Sequence, residues 1–243
     1  MDKLARKKRE LLQREGLFLD IARRLLLKEG YHGLTMARVA QAAEYSKGTI
    51  YQHFSCKEEV ILTLVTRSLE RRLAMLEKAA AFRANPRERI VALGEAMELF
   101  VRLYPDDLRL IFLSNTEAIT QKASEQFVWN MRRCAHRSFG LVTGIVRDGI
   151  ARGDLTLPVS ATPEHIAFGL RALTDGAYAI TMSWIPPREV GIAQPIEAAK
   201  DICQILCDGY GWRPLSTEWD YNATRRRVWD EVFPGEVKKI ASN

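Results

Sequence analysis

The chain has 243 residues, of which 47% are hydrophobic and 27% are charged, and its formal net charge is +6. These values are typical of a soluble globular protein with one or two domains, and the lack of a run of about eighteen apolar residues argues against a membrane span. The charged N-terminus is unlike a signal peptide and the four irregularly spaced cysteines are too few for a disulfide scaffold, so we expect a cytoplasmic protein.

The first predicted helix runs from about Leu4 to Glu29, ends at Gly30 and begins with a strongly basic segment. Residues 1–14 carry six Lys or Arg against two acids, and residues 1–60 carry twelve against eight, so most of the excess positive charge lies in this part of the chain. Such a concentration is expected of a surface that binds phosphate. Disorder of the first few residues in the absence of DNA is an open alternative.

Two short helices are predicted next, joined by a turn at residues 44–45. Thr35 can cap the first and Ser46 can cap the second, which covers residues 47–54. The outward side of the second helix carries polar side chains: Lys47, Thr49, Tyr51, Gln52 and His53. A short helix pair with a polar outer face on its second member is typical of a helix-turn-helix that enters a major groove. A helical hairpin on a solvated surface is the alternative.

Residues 30–61 read GYHGLTMARVAQAAEYSKGTIYQHFSCKEEVI. This string resembles the DNA-binding signature of the TetR family of bacterial transcriptional regulators, with SKGTIY and KEE at matching positions. The family usually has Gly where Glu44 stands, in a turn that favours a left-handed backbone. It usually has Ser where Cys56 stands, and here we expect Ser55 and Glu58 to form the capping box.

The resemblance implies a set of DNA contacts. Backbone contacts would come from Tyr51, His53 and Lys57, while the helix N-termini would present hydroxyl and N–H groups to phosphates. Lys can donate to guanine, Gln can pair with adenine, and a Thr methyl can touch thymine, whereas Gly48 permits close approach to the groove. The predicted DNA-binding residues are Thr35, Tyr45, Ser46, Lys47, Gly48, Thr49, Tyr51, Gln52, His53 and Lys57. Each of them could instead be a plain surface residue.

The rest of the chain has the apolar spacing of successive helices. A long helix is predicted over residues 57–81 and another long helical segment from about Glu117 to Arg152. Helices with short breaks continue to Gly211, with no alternating strand pattern. We therefore predict an all-α fold, with an N-terminal three-helix helix-turn-helix domain at residues 1–60 and a C-terminal helical ligand-binding and dimerisation domain at residues 61–243.

Two predicted helices, at residues 163–184 and 195–210, each carry two apolar stripes. On the first helix, one stripe is a seam of mostly small residues: His165, Gly169, Ala172, Gly176, Ala179 and Ser183. We interpret the pair as half of a four-helix bundle shared by a two-fold homodimer, as the resemblance also implies. The predicted dimer interface is Gly169, Ala172, Gly176, Ala179, Cys203, Leu206 and Tyr210. Burial of both stripes within one subunit is the alternative.

Large apolar residues of the C-terminal region are candidates for an effector cavity, although such residues are more often plain core. The predicted ligand-binding residues are Phe100, Tyr104, Phe112, Phe127, Met131, Phe168 and Tyr178, with Trp129 and Met182 as further candidates. An acidic ligand would require Arg132, Arg133 or Arg171. A neutral or cationic ligand could be oriented by His136 or Asp175, and the sequence leaves this choice open.

The C-terminal tail and the cysteines have less specific signals. The tail, residues 212–243, contains a helix pattern that starts near Ser216, and its Arg225–Arg227 run is interpreted as a solvated face rather than a phosphate-binding patch. Cys203 and Cys207 lie one helical turn apart. Without a nearby His or a third Cys they make a poor metal site, so we predict no metal and no cofactor.

The leading hypothesis is a dimeric, ligand-responsive regulator, not an enzyme. The resemblance implies repression of a palindromic double-stranded DNA operator and release of the DNA by a small-molecule effector. The sequence contains no GxSxG, HExxH, P-loop or GxGxxG motif. Two alternatives remain, namely a helical-bundle enzyme and a dimeric ligand-binding or scaffold protein whose helix-turn-helix is inert.

Overall fold

The computed structural model describes residues 3–113, 117–182 and 187–242. Within these ranges the chain forms α1 (Lys3–Gly33), α2 (Met36–Ala43), α3 (Lys47–Tyr51), α4 (Lys57–Ala80), α5 (Pro86–Leu103), α6 (Pro105–Leu113), α7 (Glu117–Lys122), α8 (Glu125–Ala151), α9 (Pro163–Thr181), α10 (Pro195–Gly209), α11 (Tyr221–Arg227) and α12 (Pro234–Ala241). A 3₁₀ turn (Pro187–Val190) precedes α10, and a π-helical turn (Val228–Val232) follows α11.

These elements confirm the all-α prediction, because the described residues contain no β-strand. Ser183, which belongs to the predicted small-residue seam, lies outside the described residues. Across the three described ranges, every helix is too short or too polar to span a membrane.

The chain separates into two compact units. The first unit comprises Met1–Arg71 and Pro105–Cys134, and the second unit comprises Arg72–Tyr104 and Ala135–Asn243. Helices α4 and α8 contribute residues to both units. The functional boundary at residue 60 stays a prediction, because a compact unit made of separate segments does not reveal which part folds alone.

The first unit is organised around the second half of α1. Its inward side chains include the fully buried Phe18, and α2 packs against both α1 and α3, whose Ile50 is also fully buried. Gly30 adopts a positive φ of 71°, which interrupts the helical backbone near the C-terminal end of α1. Asp107 of α6 is buried and accepts a hydrogen bond from Arg23 of α1 over 2.5 Å, so the charge of this aspartate is paired.

The second unit packs α9 against α10, and α5 against α11 and α12 of the C-terminal tail. Arg87 of α5 is fully buried and donates to the backbone oxygen of Trp212 over 2.5 Å and to Asp208 over 2.8 Å. Burial alone would raise the pKa of Asp208, but hydrogen bonds from Ser216 and Arg87 lower it. The buried guanidinium therefore has a charged partner, which fixes the start of the tail on α5.

The structure corrects three local predictions. The long helix predicted from Glu117 is broken after Lys122, which separates α7 from α8. Glu59, not Glu58, accepts the hydrogen bond from the Ser55 backbone N–H, over 2.7 Å. The tail helix begins at Tyr221 with Asp220 as its N-cap, because the Ser216 hydroxyl donates to Asp208 instead of capping a helix.

Gly149 of α8 allows the close approach of Trp212, whose side chain is fully buried. A Cβ at this position would lie 2.9 Å from the indole nitrogen. We expect Gly149→Ala to lower the free energy of unfolding by about 1–3 kcal/mol, because a rigid ring in a packed site cannot move aside. Denaturant unfolding followed by circular dichroism measures the change.

Gly144 of the same helix is the matched control, because a Cβ there would meet no atom within 4 Å. We expect Gly144→Ala to raise the free energy of unfolding by up to about 1 kcal/mol through helix propensity. Equal effects of the two alanine substitutions would contradict the proposed packing of Trp212.

Candidate nucleic-acid interface and buried cavity

The two short helices of the first unit are capped as the sequence predicts. The Thr35 hydroxyl accepts a hydrogen bond from the Arg38 backbone N–H over 3.2 Å, at the start of α2. The Ser46 hydroxyl accepts one from the Thr49 backbone N–H over 3.1 Å, at the start of α3. Helix α3 ends at Tyr51, so it is shorter than the predicted span to Phe54.

Glu44 occupies the left-handed position of the turn between α2 and α3. Its φ is 58° and its ψ is 36°, and the backbone N–H of Tyr45 donates to the carbonyl of Ala40 over 3.0 Å. The backbone geometry is the one for which the family usually uses glycine. Since an L-residue is strained in this conformation, the exposed glutamate is tolerated here at a cost in stability.

Phe18 of α1 orients the segment that contains α3. Tyr45 and His53 each place a ring edge-on against Phe18, with centroid distances of 5.4 Å and 5.2 Å. Partial burial lowers the pKa of His53, so its imidazole is neutral at pH 7. A neutral imidazole can donate a single hydrogen bond to a phosphate, and it adds no positive charge to the surface.

The outward side of α3 is open. Lys47, Gly48, Tyr51 and Gln52 are exposed, and Tyr51 retains 52% of its accessible surface. Among the described residues, the side chains of Lys47, Tyr51 and Gln52 have no hydrogen-bond partner, so they are available to a ligand. This face combines a cation, an amide and a phenol hydroxyl, which are groups that contact phosphates and base edges.

Three of the predicted DNA contacts, Ser46, Thr49 and Lys57, are engaged within the chain. The Thr49 hydroxyl lies 2.9 Å from the Ser46 hydroxyl. The Lys57 ammonium donates to the backbone oxygen of Tyr31 over 3.0 Å and lies 3.6 Å from the centroid of the Tyr31 ring. Tyr31 in turn donates to Glu58, which raises the pKa of Tyr31 to about 12. Tyr31 and Glu58, which join the end of α1 to the start of α4, were not predicted as functional residues from the sequence.

A cavity of about 130 Å³ lies within the second unit. Tyr178 of α9 is the predicted ligand-binding residue that lines it, together with side chains of α4, α5, α8, α10 and α11. Phe100 is fully buried beside Tyr104, with a centroid distance of 5.8 Å, and neither lines the cavity. The structure therefore does not bring the predicted ligand-binding residues together.

The other predicted ligand-binding residues lie elsewhere. Phe112, Phe127 and Met131 belong to the first unit, where the ring of Phe127 lies 6.3 Å from that of Phe54. Phe168 is on the outside of α9 with 68% of its surface exposed. Aromatic character alone thus did not identify the cavity wall, in which aliphatic residues outnumber the aromatic ones, Phe139 and Tyr178.

Oppositely charged groups meet at the cavity wall. Lys200 lies 2.8 Å from Glu95, and Arg225 lies 3.6 Å from the same carboxylate. Burial alone would lower the pKa of Lys200, but Glu95 and Glu98 raise it, so the ammonium stays charged. Arg171 pairs with Asp175 over 3.0 Å. The sequence suggested Arg171 for an acidic ligand and Asp175 for a neutral or cationic one.

The predicted dimer residues divide between two faces of α9 and α10. Leu206 packs against Gly169 of the same chain, where an added Cβ would lie 3.2 Å from a Leu206 methyl, and Cys203 lines the cavity. Ala172 and Ala179 are exposed, Gly176 is half-buried on the same helix, and Tyr210 is half-buried at the end of α10. Large apolar residues are exposed on these two helices: Phe168 (68%), Ile180 (55%), Ile202 (46%) and Ile205 (68%).

The two neighbouring cysteines of α10 are held as neutral thiols. Burial raises the pKa of Cys203, and it raises the pKa of Cys207 to about 12. Thiolates are the forms that bind metals and react with oxidants, so both environments oppose such a role. Within the described residues, His, Cys, Asp and Glu form no group of three or more that could hold a metal ion.

Comparison with known proteins gives consistent matches. The model of the bacterial regulatory proteins of the tetR family matches residues 18–64. The chain is 29% identical over 131 residues to the HTH-type transcriptional activator FasR of Mycolicibacterium smegmatis, a match that covers 54% of this chain and 59% of FasR. The chain spans 59% to 66% of the length of the first curated relatives that it matches.

Solved structures share the fold over a larger part of the chain. The TetR family transcriptional regulator PfmR of Thermus thermophilus superposes with a TM-score of 0.59 at 20% identity, covering 82% of this chain and 95% of PfmR. The transcriptional regulator FadR of Bacillus subtilis, solved in complex with stearoyl-CoA, gives a TM-score of 0.60 at 14% identity and covers 79% of this chain and 97% of FadR.

The left-handed backbone at Glu44 generates a test of the turn. We expect Glu44→Gly to raise the free energy of unfolding by about 0.5–1 kcal/mol, because glycine removes the steric strain of a positive φ. Glu44→Ala, which removes the same carboxylate but keeps a Cβ, is the matched control and should leave the free energy nearly unchanged. Equal gains for both variants in denaturant unfolding would show that the charge, not the backbone, is responsible.

Proposed function

The chain belongs to the TetR family of bacterial regulatory proteins, and we propose that it is a ligand-responsive transcriptional repressor that binds operator DNA as a homodimer. The observation that carries this proposal is the open polar face of α3. Lys47, Tyr51 and Gln52 project from a short capped helix and are not engaged within the described part of the chain. A helix with this face fits the major groove, where it reads base edges.

Base reading and backbone binding are assigned to different residues in this proposal. Lys47 and Gln52 read bases, with Gly48 allowing close approach, while Tyr51, His53 and the N-terminal hydroxyls of Thr35 and Ser46 contact phosphates. Tyr45 is at the edge of the interface. Thr49 and Lys57 contribute to DNA binding indirectly, because their internal hydrogen bonds hold the starts of α3 and α4 in place. The basic start of α1 supplies long-range attraction to the duplex.

The dimer interface is proposed on the exposed apolar face of α9 and α10. Phe168, Ile202 and Ile205 expose large apolar surfaces there, and the exposed Ala172 and Ala179 permit close approach of a second helix. Two copies related by a two-fold axis would bury these side chains against each other in a four-helix bundle. Two recognition helices would then bind half-sites about 34 Å apart on a palindromic operator.

Ligand response is proposed through the cavity of the second unit. Helix α4 starts just after α3, and its residues Arg72 and Leu76 line the cavity. A ligand that favours a different position of this helix would change the spacing of the two recognition helices and release the DNA. That FadR is described in complex with stearoyl-CoA supports a small-molecule site in this fold.

Repression and a non-enzymatic role complete the proposal. A protein that covers an operator obstructs transcription by occupancy alone, whereas FasR is described as an activator. The relatives are regulators, which supports a cytoplasmic role without catalysis.

In vitro transcription from the operator duplex gives the sign of regulation, and we expect less transcript when the protein is added. An inert helix-turn-helix on a dimeric ligand-binding protein is the competing function.

A gel-shift at a stated salt concentration of about 0.15 M tests DNA binding with the duplex upstream of the protein's own coding region. We expect Lys47→Ala and Gln52→Ala each to weaken binding by roughly 5- to 100-fold, because each removes a base contact. Lys239→Ala, which removes the same charge from exposed α12, is the matched control and should change binding less than about twofold. Undiminished binding by both α3 variants would favour the inert alternative.

The exposed apolar face predicts the effect of a charge on assembly. We expect Ile205→Glu to weaken dimerisation by at least about 100-fold, because a symmetric interface loses one apolar contact and gains one buried charge on each protomer. Sedimentation equilibrium measures the dissociation constant. Ile192→Glu, at another exposed isoleucine that lies outside α9 and α10, is the control. A dimer unaffected by Ile205→Glu would place the interface elsewhere.

A further inference from the structure

Tyr178 of α9 lines the cavity and carries a hydroxyl that has no hydrogen-bond partner among the described residues. The Tyr178 side chain is 5% exposed and lines the cavity, and among the described residues no hydrogen bond to its hydroxyl is formed. A hydroxyl that lacks a protein partner can donate its hydrogen bond to a molecule that occupies the cavity. This polar group therefore points to a ligand.

The charged side chains around the cavity are already neutralised within the chain. Lys200 pairs with Glu95 and Glu197, Arg225 lies within 3.7 Å of Glu95, Glu197 and Asp201, and Arg171 pairs with Asp175. The remaining charged residue of the wall, Arg72, is also engaged within the chain. An ionised ligand would bring a charge into this wall with no free counter-charge to meet it, which is unfavourable where burial limits the hydration of the charge.

The space suits a compact apolar molecule. A volume of about 130 Å³ has room for on the order of ten non-hydrogen atoms. Much of the wall is aliphatic: Leu76, Ile90, Leu93, Met97, Val142 and Leu170. Gly94, in the middle of α5, also lines the cavity, and a Cβ there would meet no atom within 4 Å. Glycine inside a helix is destabilising relative to alanine, and here its missing side chain leaves part of the cavity open.

We propose that this cavity binds a small, electrically neutral, apolar molecule that carries one hydrogen-bond-accepting oxygen, with the Tyr178 hydroxyl as the donor. The inference rests on the proposed function, since this molecule would be the effector of the regulator. It resolves the choice that the sequence left open, because Arg171 and Asp175 pair with each other, and Arg132, Arg133 and His136 do not line the cavity. Burial raises the pKa of Tyr178, so its hydroxyl remains protonated and available as a donor.

Four ring compounds of similar size test the proposal at pH 7.5 with the full chain. Acetophenone is neutral and has an acceptor oxygen, isopropylbenzene is neutral without one, benzoate is an anion, and benzylammonium is a cation. Ligand-observed NMR titration gives the four dissociation constants. We expect acetophenone to bind about 5-fold more tightly than isopropylbenzene, and both ions to bind at least about 10-fold more weakly than acetophenone.

Tyr178→Phe removes the hydroxyl and keeps the ring. We expect it to bring the affinity for acetophenone down to that for isopropylbenzene, while the affinity for isopropylbenzene stays unchanged. Tyr221→Phe is the matched control, because the Tyr221 hydroxyl donates to the backbone oxygen of Pro214 and Tyr221 does not line the cavity. This control should keep the preference for acetophenone.

Gly94→Leu places a side chain in the cavity, and its Cβ would meet no atom within 4 Å. We expect this variant to bind neither neutral probe. Its melting temperature shows whether the chain is still folded. Three results would overturn the inference. They are tighter binding of benzoate or benzylammonium than of acetophenone, a preference for acetophenone over isopropylbenzene that persists in Tyr178→Phe, and unchanged binding of the neutral probes in Gly94→Leu. The gel-shift of the unliganded protein is a separate readout. DNA binding together with a preference for ions would overturn only this inference, whereas neutral-probe selectivity without DNA binding would overturn only the regulator.

Discussion

The candidate nucleic-acid interface depends on the packing of Phe18. Helix α3 has only five residues, and an isolated helix of this length is not stable in water, so tertiary contacts must fix its position. Phe18 provides them from beneath, with Tyr45 before α3 and His53 after it resting edge-on against its ring. With both flanks held against one buried ring, the exposed side of α3 can be polar without loss of position.

The second unit depends on a different constraint, the pairing of buried acids on α5. Glu88, Glu95 and Glu98 are buried, and a buried carboxylate needs a charged or hydrogen-bonded partner. The tail supplies several of these partners, since the Thr224 hydroxyl donates to Glu88 over 3.0 Å and the Trp229 indole donates to Glu95 over 2.6 Å. The tail is therefore an integral part of the unit that encloses the cavity.

Local signals account for what could be predicted from the sequence. The caps at Thr35 and Ser46 and the inward Ile50 follow from short-range spacing, and the structure confirms them. The solvated face predicted for Arg225–Arg227 is confirmed for Arg226 and Arg227, which are exposed, but it was wrong for Arg225, which pairs with Glu95, 130 positions earlier in the chain. Pairings over such distances leave no periodic trace in a single sequence. The cavity wall was missed for the same reason, since aliphatic residues from five helices meet only in the fold.

The internal neutrality of the cavity also limits how the proposed regulator can respond. A neutral effector cannot act by charge repulsion on the recognition helix, so its effect must come from the space it occupies among packed side chains. Packed interiors do not deform continuously, and a filled cavity favours whichever arrangement of α4 and α5 best encloses the ligand. By linkage, DNA must weaken the affinity for the effector by the same factor by which the effector weakens binding to DNA. A coupling of 1–3 kcal/mol, typical of such switches, is comparable to the gain from burying one or two apolar groups. A ligand of about ten non-hydrogen atoms is therefore large enough to operate the proposed switch.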